Sequence, residues 1–405
     1  DPKTAFACEK DKSKRSFYEG VVAPHMSCRG CMFEDLAELG NGRAKCSYHS
    51  KVCYVPMNAH VFVVGFSCKD FSRLTSSLKR DQKGSLLIGI VGSSGTTFHW
   101  AFNHIMRARP AIVILENVPD IDEIEKDEDG VGKNVGHLYG ILDEIGYSTK
   151  HSVFPSTDFG LPQKRRRCFF VCLRREAFHL TADQTAERLE SIWHQIDKLK
   201  TPPCPMMNFL YGNDHPRVQA ELERRQATTK SRDDVGESHR RQLQMKGVSW
   251  KDLSVPSDLA SNEWFQTLSA RQKDCLIYYK STAPDMITLD INPRFDRCVK
   301  PVGTTTQTLT PSMVMWVFQG KKGDQGKGSR LMLGFEAMRL QGFPTEWIES
   351  GDWKENDSKL VDLAGNAFSA TVFAAIEIAV LATVKFPAQV EVPASELSEL
   401  AGLLV

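Results

Sequence analysis

The chain has 405 residues, with 51 Lys+Arg against 50 Asp+Glu and a formal charge of +1. That balance excludes a wholly basic nucleic-acid coat and a polyanionic tail, and it leaves room for a local basic cleft. With 41% hydrophobic and 25% charged residues the composition is that of a globular chain with a sizeable core, and at about 150 residues per domain the length suggests two or three domains, or one core carrying an insertion.

The predicted elements begin as α/β. Up to about residue 175, short β-rich apolar runs alternate with helical patterns, the signature of a mostly parallel sheet. Thr4 to Cys8 reads as a strand ending at Glu9, and His60 to Gly65 as a strand ending on a turn that carries Cys68. Phe98, Trp100, Ala101, Phe102, Ile105 and Met106 share a broad helical face. Ala111 to Leu115 is a strand running into Glu116, Asn117 and Val118, followed by a solvated loop from Glu123 to Asn134. Leu138, Ile141, Leu142 and Ile145 mark the next helix, which Gly146 closes. Phe169 to Leu173 is a further strand, preceded by the basic run Lys164 to Arg167. Reactive residues at strand ends matter, because ligands sit beyond the carboxyl ends of strands in open α/β sheets.

From about 176 the texture changes. Pro202, Pro203, Pro205 and Pro216 mark an irregular region, and Arg217 to Gln244 is strongly charged, so 176–297 reads as an inserted module. The core pattern returns with the β-prone run Thr304 to Thr310 and helices at Gly334 to Leu340 and Asp362 to Ala382. The predicted domains are 1–175, 176–297, 298–385 and a tail, 386–405. The longest apolar stretch, Ala367 to Ala382, is broken by Glu377 and falls short of the roughly 20 residues that span a bilayer, so no membrane partner is expected. The 11 cysteines are odd in number, which excludes a complete disulfide framework without a free thiol and points to a reducing, intracellular compartment.

A cysteine held on a turn after a buried strand, with Lys69 beside it to favour the thiolate, suits a nucleophile. Taken alone it is more often a core residue. Its company changes that reading: Glu116-Asn-Val-Pro119 follows the next strand, Gln163-Lys-Arg165-Arg-Arg167 precedes another, and Arg339-Leu-Gln-Gly-Phe-Pro344 and Leu363-Ala-Gly-Asn366-Ala-Phe-Ser369 lie near the C-terminus. In this order the motifs resemble those numbered IV to X in the DNA (cytosine-5) methyltransferase family, over essentially the whole chain except the insertion. The resemblance implies an α/β fold: a Rossmann-like S-adenosylmethionine-dependent methyltransferase core with an inserted target-recognition module.

It also implies roles. Cys68 would add to C6 of cytosine, because C5 is too weak a nucleophile to take a methyl group unaided. Glu116 would bond N3 and the exocyclic amine as a carboxyl whose pKa burial raises. Asn117 would orient the loop. Arg165 and Arg167 alternate on an extended segment, face one way and would meet the cytosine, the Cys/Glu loop or phosphate. Lys69, Ser72 and Gln163 would touch nucleic acid, and the Arg-rich stretch Arg217 to Arg241 would contact phosphates. The target base must be flipped or already unpaired.

Upstream, Thr4 to Asp11 resembles motif II, so Glu9, with Lys10, would bind the ribose of S-adenosyl-L-methionine. Met32 to Leu36 resembles motif III, so Asp35, with Leu36, would meet the adenine. Asn366 and Ala367, in motif X, would pack against the cofactor pocket. The implied partner is DNA with a flipped cytosine, the catalytic core is expected to be monomeric, and the compartment is the nucleus in a eukaryote and the cytoplasm otherwise. RNA is the rival substrate, and a catalytically silent nucleic-acid-binding regulator is the rival function. Retention of Cys68, Glu116, Arg165 and Arg167 together favours an active enzyme.

Three departures from the pattern stand out. The glycine-rich motif I normally precedes motif II, whereas this chain opens at motif II without a Met, so the expectation is a domain lacking its first strand and glycine loop. The usual Pro-Cys-Gln is Ser67-Cys68-Lys69, which predicts a looser turn. Cys28, Cys31, Cys46, His49 and Cys53 have zinc-like spacing. Because Asp35 lies between them, unliganded thiols are the favoured reading and structural zinc the alternative.

Overall fold

The computed structural model describes residues 3–71, 86–123, 130–228, 237–245, 247–249, 254–282, 287–293, 305–318, 329–350 and 357–384. Ser72 and the tail 386–405 lie outside the described residues.

One sheet runs β1-β2-β3-β4, from Phe6–Cys8 (β1), Cys31–Phe33 (β2), Arg43–Cys46 (β3) and Lys51–Tyr54 (β4), with β1 and β2 parallel and the rest antiparallel. Helix Lys12–Phe17 (α1) follows β1, and Leu36–Leu39 (α2) follows β2. A second sheet has the order β5-β6-β8-β7, from Val61–Gly65 (β5), Ile112–Asn117 (β6), Tyr147–Pro155 (β7) and Arg166–Arg174 (β8). Only β5 and β6 are parallel in it; β8 runs antiparallel to both neighbours. The expected mostly parallel sheet is thus mixed, because an apolar run locates a strand and is blind to its direction.

All of β6 is buried, as a strand with helices on both faces must be. On one face Gly92–Ala108 (α3) and Lys133–Glu144 (α4) pack Phe98, Ile105, Leu138 and Leu142 against Val113, Leu115 and Phe170. On the other, Ala182–Lys198 (α5) and Ala370–Thr383 (α11) pack Leu189, Ile192, Ile376 and Val380 against Ile112, Ile114 and Val171. The first and second sheets meet where the rings of Phe6, Phe62 and the buried His104 pack at tilted and edge-on angles, with centroids 4.7–6.3 Å apart.

This packing moves the predicted domain boundaries. Helix α5 lies within 176–297 yet covers the core sheet. The remaining lobe contains Pro216–Thr228 (α6), Glu237–Met245 (α7) and Ala270–Thr282 (α8). Its sheet pairs Thr288–Asp290 (β9) with Met315–Val317 (β10), and β10 with Arg330–Leu331 (β11), across the boundary at 297/298. One apolar cluster runs through it from Tyr211 to Leu333. The described part of the run to Thr310 forms no strand; Thr306 makes a single bridge to Gln163. Gly334–Leu340 (α9) is helical as expected, but the last predicted helix is two, Asp357–Asn366 (α10) and α11, bent by 41°. Among the described residues no single helix is long and apolar enough to cross a membrane.

The Arg-rich stretch is partly committed to the lobe itself. Glu221, buried on α6, receives Arg224 Nε at 2.6 Å and Arg225 Nε at 2.8 Å, and Arg217 lies 3.9 Å over the Phe335 ring. These three arginines brace α6, with Arg224 still exposed at its surface.

Where the lobe joins the core, Arg330 and Glu336 form a two-pronged ion pair at 2.6 and 2.8 Å, with both side chains almost wholly buried. Arg330 also donates to Asn213 and to the Tyr211 carbonyl, and Glu336 accepts from the backbone N–H of Tyr211 and of Leu333. Every prong is met, the condition under which a buried pair is tolerated. Glu336→Leu strands the guanidinium and is expected to destabilise the protein by about 3–5 kcal/mol, whereas Arg330→Met combined with Glu336→Leu recovers most of that loss. Chemical denaturation of the two variants checks this; equal losses would contradict it.

Candidate active site

The loop after β5 is latched to the start of α3. Ser67 donates its N–H to Thr97 Oγ1 at 3.0 Å, and its hydroxyl lies 3.0 Å from that of Ser93. Asp70 accepts from the Ser94 N–H at 2.8 Å and the Ser93 hydroxyl at 3.2 Å, while its own N–H donates to Ser94 Oγ at 3.1 Å. A carboxylate at the first turn of a 17-residue helix satisfies free N–H groups and meets the positive end of the helix dipole. The turn is fixed by this latch in place of a proline, which corrects the expected looseness. Lys69, in the same turn, is exposed.

Across the sheet, Gly65 pairs in register with Glu116, and Asn117 Nδ2 donates to the Phe66 carbonyl at 3.2 Å, so β6 holds the base of the Cys68 turn. Gly65 leaves room for its neighbours. A Cβ there would stand 2.7 Å from the Phe368 ring and 3.2 Å from Glu116 Oε2. The thiol, the carboxyl and the motif X segment therefore converge at one strand end. Glu116 is buried and its Oε1 receives Arg167 Nε at 3.0 Å. Burial pushes its carboxyl above the usual range against the pull of Arg167 and Arg165. Burial likewise raises the Cys68 thiol, Glu116 adds to that, and Arg167 and Arg165 pull it down. The cations favouring the thiolate are thus these arginines, where the sequence pointed to Lys69.

Two predicted contacts are corrected. Arg165 is 2% exposed, and its guanidinium donates to the carbonyls of Leu309, Gly365 and Ala367 at 3.1, 3.2 and 2.8 Å. It positions the C-terminal segment, and burial takes it away from base and phosphate, while its charge still acts on Cys68 and Glu116, as the expected contact with the Cys/Glu loop has it. Gln163, read as a nucleic-acid contact, is fully buried: its Nε2 donates to the Leu340 carbonyl and its Oε1 accepts from the Leu309 N–H. The latch residues Ser67, Asp70 and Thr97, and Phe368 against Gly65, were missed. The Gly92-Ser-Ser-Gly95 start of α3, which has no capping side chain of its own, was the available signal for an external cap.

The candidate cofactor residues stand at the ends of β1 and β2. Glu9 directly follows β1 and accepts from the Asp11 N–H at 2.7 Å. Asp35 caps α2 through the Ala37 N–H at 3.0 Å and pairs with Lys10 at 3.1 Å, with Lys10 lying 5.9 Å from the Trp100 ring centre. Leu36 is half-buried behind them, against both the small cluster of the first sheet and the cluster around α3 and α4. Because β1 and β2 are parallel, the two carboxylates lie at the same end of the sheet, and each has lone pairs beyond its present contacts for ribose hydroxyls or an adenine amine. This pair of acceptors fits S-adenosyl-L-methionine. Asn366 is exposed and caps its own helix through the Asp362 carbonyl at 2.8 Å, while Ala367 gives its carbonyl to Arg165.

Comparison with known proteins gives this geometry a context. The model of the C-5 cytosine-specific DNA methylase family matches residues 48–381. DNA (cytosine-5-)-methyltransferase DMT5 of Cryptococcus neoformans is 28% identical over 93% of this chain, and that of Verticillium dahliae 22% over 93%. The chain spans only 15% and 18% of the length of these two relatives. The Type II methyltransferase M.HhaI of Haemophilus parahaemolyticus is 27% identical over 29% of the chain and 31% of its own length. Among solved structures, an S. pombe Dnmt2 methyltransferase aligns with 94% of this chain and 90% of its own at 13% identity and a TM-score of 0.46. With its family model matched over most of its length, the chain belongs to the C-5 cytosine-specific DNA methylases, whose methyl donor is S-adenosyl-L-methionine.

Proposed function

We propose that this chain transfers a methyl group from S-adenosyl-L-methionine to C5 of a cytosine in DNA, through a covalent bond between Cys68 and C6. The observation that carries the reading is the meeting, at the ends of β5, β6 and β8, of a thiol, a buried carboxyl and a guanidinium bonded to that carboxyl.

The Cys68 thiolate adds to C6, the C5–C6 π pair moves to C5, and the Glu116 carboxyl gives its proton to N3, keeping the ring neutral. The bound cofactor supplies an electrophilic methyl on a sulfonium. With the cofactor bound, C5 would take that methyl as the methyl–sulfur bond breaks and the sulfur leaves as a neutral thioether; C5 then loses its own proton to a base, and the returning electron pair expels Cys68 while N3 gives its proton back to Glu116. Arg167 holds the Glu116 carboxyl in place and favours the thiolate. Asn117 and the Asp70 latch fix the turn from which Cys68 reaches the base. Glu9 and Asp35, with Lys10 and Leu36 beside them, would hold the ribose and adenine, and the Asn366–Ala367 segment would close over them. The base is flipped out of the helix to be reached, with Lys69 toward the nucleic acid and the second lobe reading its surroundings. A DNA substrate places the protein in the nucleus of a eukaryote.

Methyl transfer from labelled cofactor, measured in parallel on duplex DNA and on tRNA, is expected with DNA and absent in Cys68→Ala. Transfer to tRNA alone would make RNA the substrate, and transfer to neither would favour the silent regulator.

Asp70→Ala frees the Cys68 turn and is expected to lower kcat by about 10²-fold with cofactor binding unchanged, the cost of misplacing a reacting group by an ångström. An unchanged kcat would show that the latch is dispensable.

The pH profile is a further check. The reactive form has Glu116 protonated and Cys68 ionised, the reverse of what a carboxyl and a thiol ordinarily favour. Its population rises up to the Glu116 pKa, stays level to the thiol pKa, and falls above it, with burial moving both limits up from 4.5 and 9.0. Wild-type kcat/KM is expected to level off in mid-range, whereas Glu116→Gln, slower throughout, keeps rising until the thiol ionises. Parallel profiles would remove Glu116 from proton transfer.

A further inference from the structure

The hairpin between β2 and β5 has no part in the chemistry above, yet it gathers a compact set of soft donors. Cys31 Sγ, Cys46 Sγ and Cys53 Sγ lie 3.6, 3.4 and 3.5 Å from the same atom, His49 Nδ1, and all four ligand atoms fall within 4.8 Å of one another. The donors come from three strands and a turn: Cys31 opens β2, Cys46 ends β3, Cys53 is in β4, and His49 lies in the turn between β3 and β4. Ser50, at φ 52, takes the left-handed conformation that folds this turn back.

Hydrogen bonding does not explain three thiols around one nitrogen, because an imidazole nitrogen makes one hydrogen bond, as donor or as acceptor. The four cysteines of the region, Cys28 included, are unbridged. A tetrahedral metal does explain the set. Zn–S bonds of about 2.3 Å and Zn–N bonds of about 2.0–2.1 Å at tetrahedral angles put each sulfur about 3.6 Å from the nitrogen. The observed 3.4–3.6 Å lie at that value or just below it. Three thiolates and one imidazole with no open position form the donor set of structural zinc.

We propose that Cys31, Cys46, His49 and Cys53 bind one zinc ion that staples the β3–β4 hairpin to β2. Cys28, the fifth candidate from the sequence, is excluded: its Sγ donates to the Thr4 carbonyl at 3.2 Å and stands apart from the cluster. The hairpin is otherwise thinly joined to its sheet, since β3 pairs with β2 at a single register, Phe33 opposite Cys46. Its own core is Phe33, Leu39, Ala44, Cys46 and Val55, while Tyr48, Val52 and Tyr54 are exposed. A core this small gains from a metal crosslink. The staple also bears on the cofactor end, a consequence that rests on the proposed function. Strand β3 takes the Glu34 N–H on the Lys45 carbonyl at 3.0 Å and gives the Lys45 N–H to Glu38 at 2.7 Å, and so frames the turn that presents Asp35.

Metal analysis of the purified protein tests the site independently of any activity. About one equivalent of zinc is expected in the wild type and in Cys28→Ser, with loss of that equivalent in Cys53→Ser and in His49→Ala. His49→Cys, which rebuilds a four-thiolate set, is expected to keep it, a rescue that separates ligation from a folding defect. Cobalt(II) exchanged into the wild type is expected to show the visible bands of a tetrahedral thiolate site, absent in Cys53→Ser. Less than about a tenth of an equivalent in the wild type, or an equivalent that survives both Cys53→Ser and His49→Ala, overturns the proposal.

Discussion

A buried guanidinium must find acceptors, and Arg165 finds three in main-chain carbonyls at residues 309, 365 and 367. That obligation sets the layout of the site. It draws the Gly365–Ser369 segment onto the start of β8, where the break between α10 and α11 leaves carbonyls free to accept. It sets Phe368 against Gly65, so that the strand leading to Cys68 is packed by a segment about three hundred residues downstream. Gln163 repeats the device two residues earlier, tying residues 309 and 340 to the same extended run. Gly365 admits the approach, since a Cβ there would meet the Thr310–Pro311 backbone at 2.2–2.6 Å.

Within that frame two opposing effects set the chemistry. Burial disfavours charge on both Cys68 and Glu116, while Arg167 and Arg165 favour it, and burial prevails at each. A carboxyl that keeps its proton can donate to N3, and a thiol held as the neutral species is spared side reactions until a base is bound. The rigidity this requires comes from the turn itself. Asp70, Ser67 and Thr97 replace with hydrogen bonds what a proline would have fixed through φ alone.

The sequence made the order of reactive turns legible, because each motif is local: a strand, then a polar residue at its end. Cys68, Glu116, Asn117 and Arg167 lie together as that order implies. Arg165 and Gln163 were misread for the opposite reason. Their partners lie 144 to 202 residues away, and nothing in local spacing tells a basic residue aimed at a substrate from one aimed at a carbonyl. Strand direction was hidden in the same way, so β8 emerged antiparallel within a sheet read as parallel. The cysteine spacing pointed to the hairpin but could not exclude Cys28, whose thiol turns toward Thr4.

The covalent bond is the centre of the proposed chemistry, and trapping it is the most direct measurement. With 5-fluorocytosine at the target, methyl transfer leaves fluorine where a proton would depart, so the enzyme cannot be expelled. Incubation of the protein with such duplex DNA and S-adenosyl-L-methionine is expected to give a denaturation-resistant complex, with mass spectrometry placing the DNA adduct on Cys68. A complex that persists in Cys68→Ala, or methyl transfer to ordinary DNA with no trapped species on the fluorinated duplex, would contradict covalent catalysis by this residue.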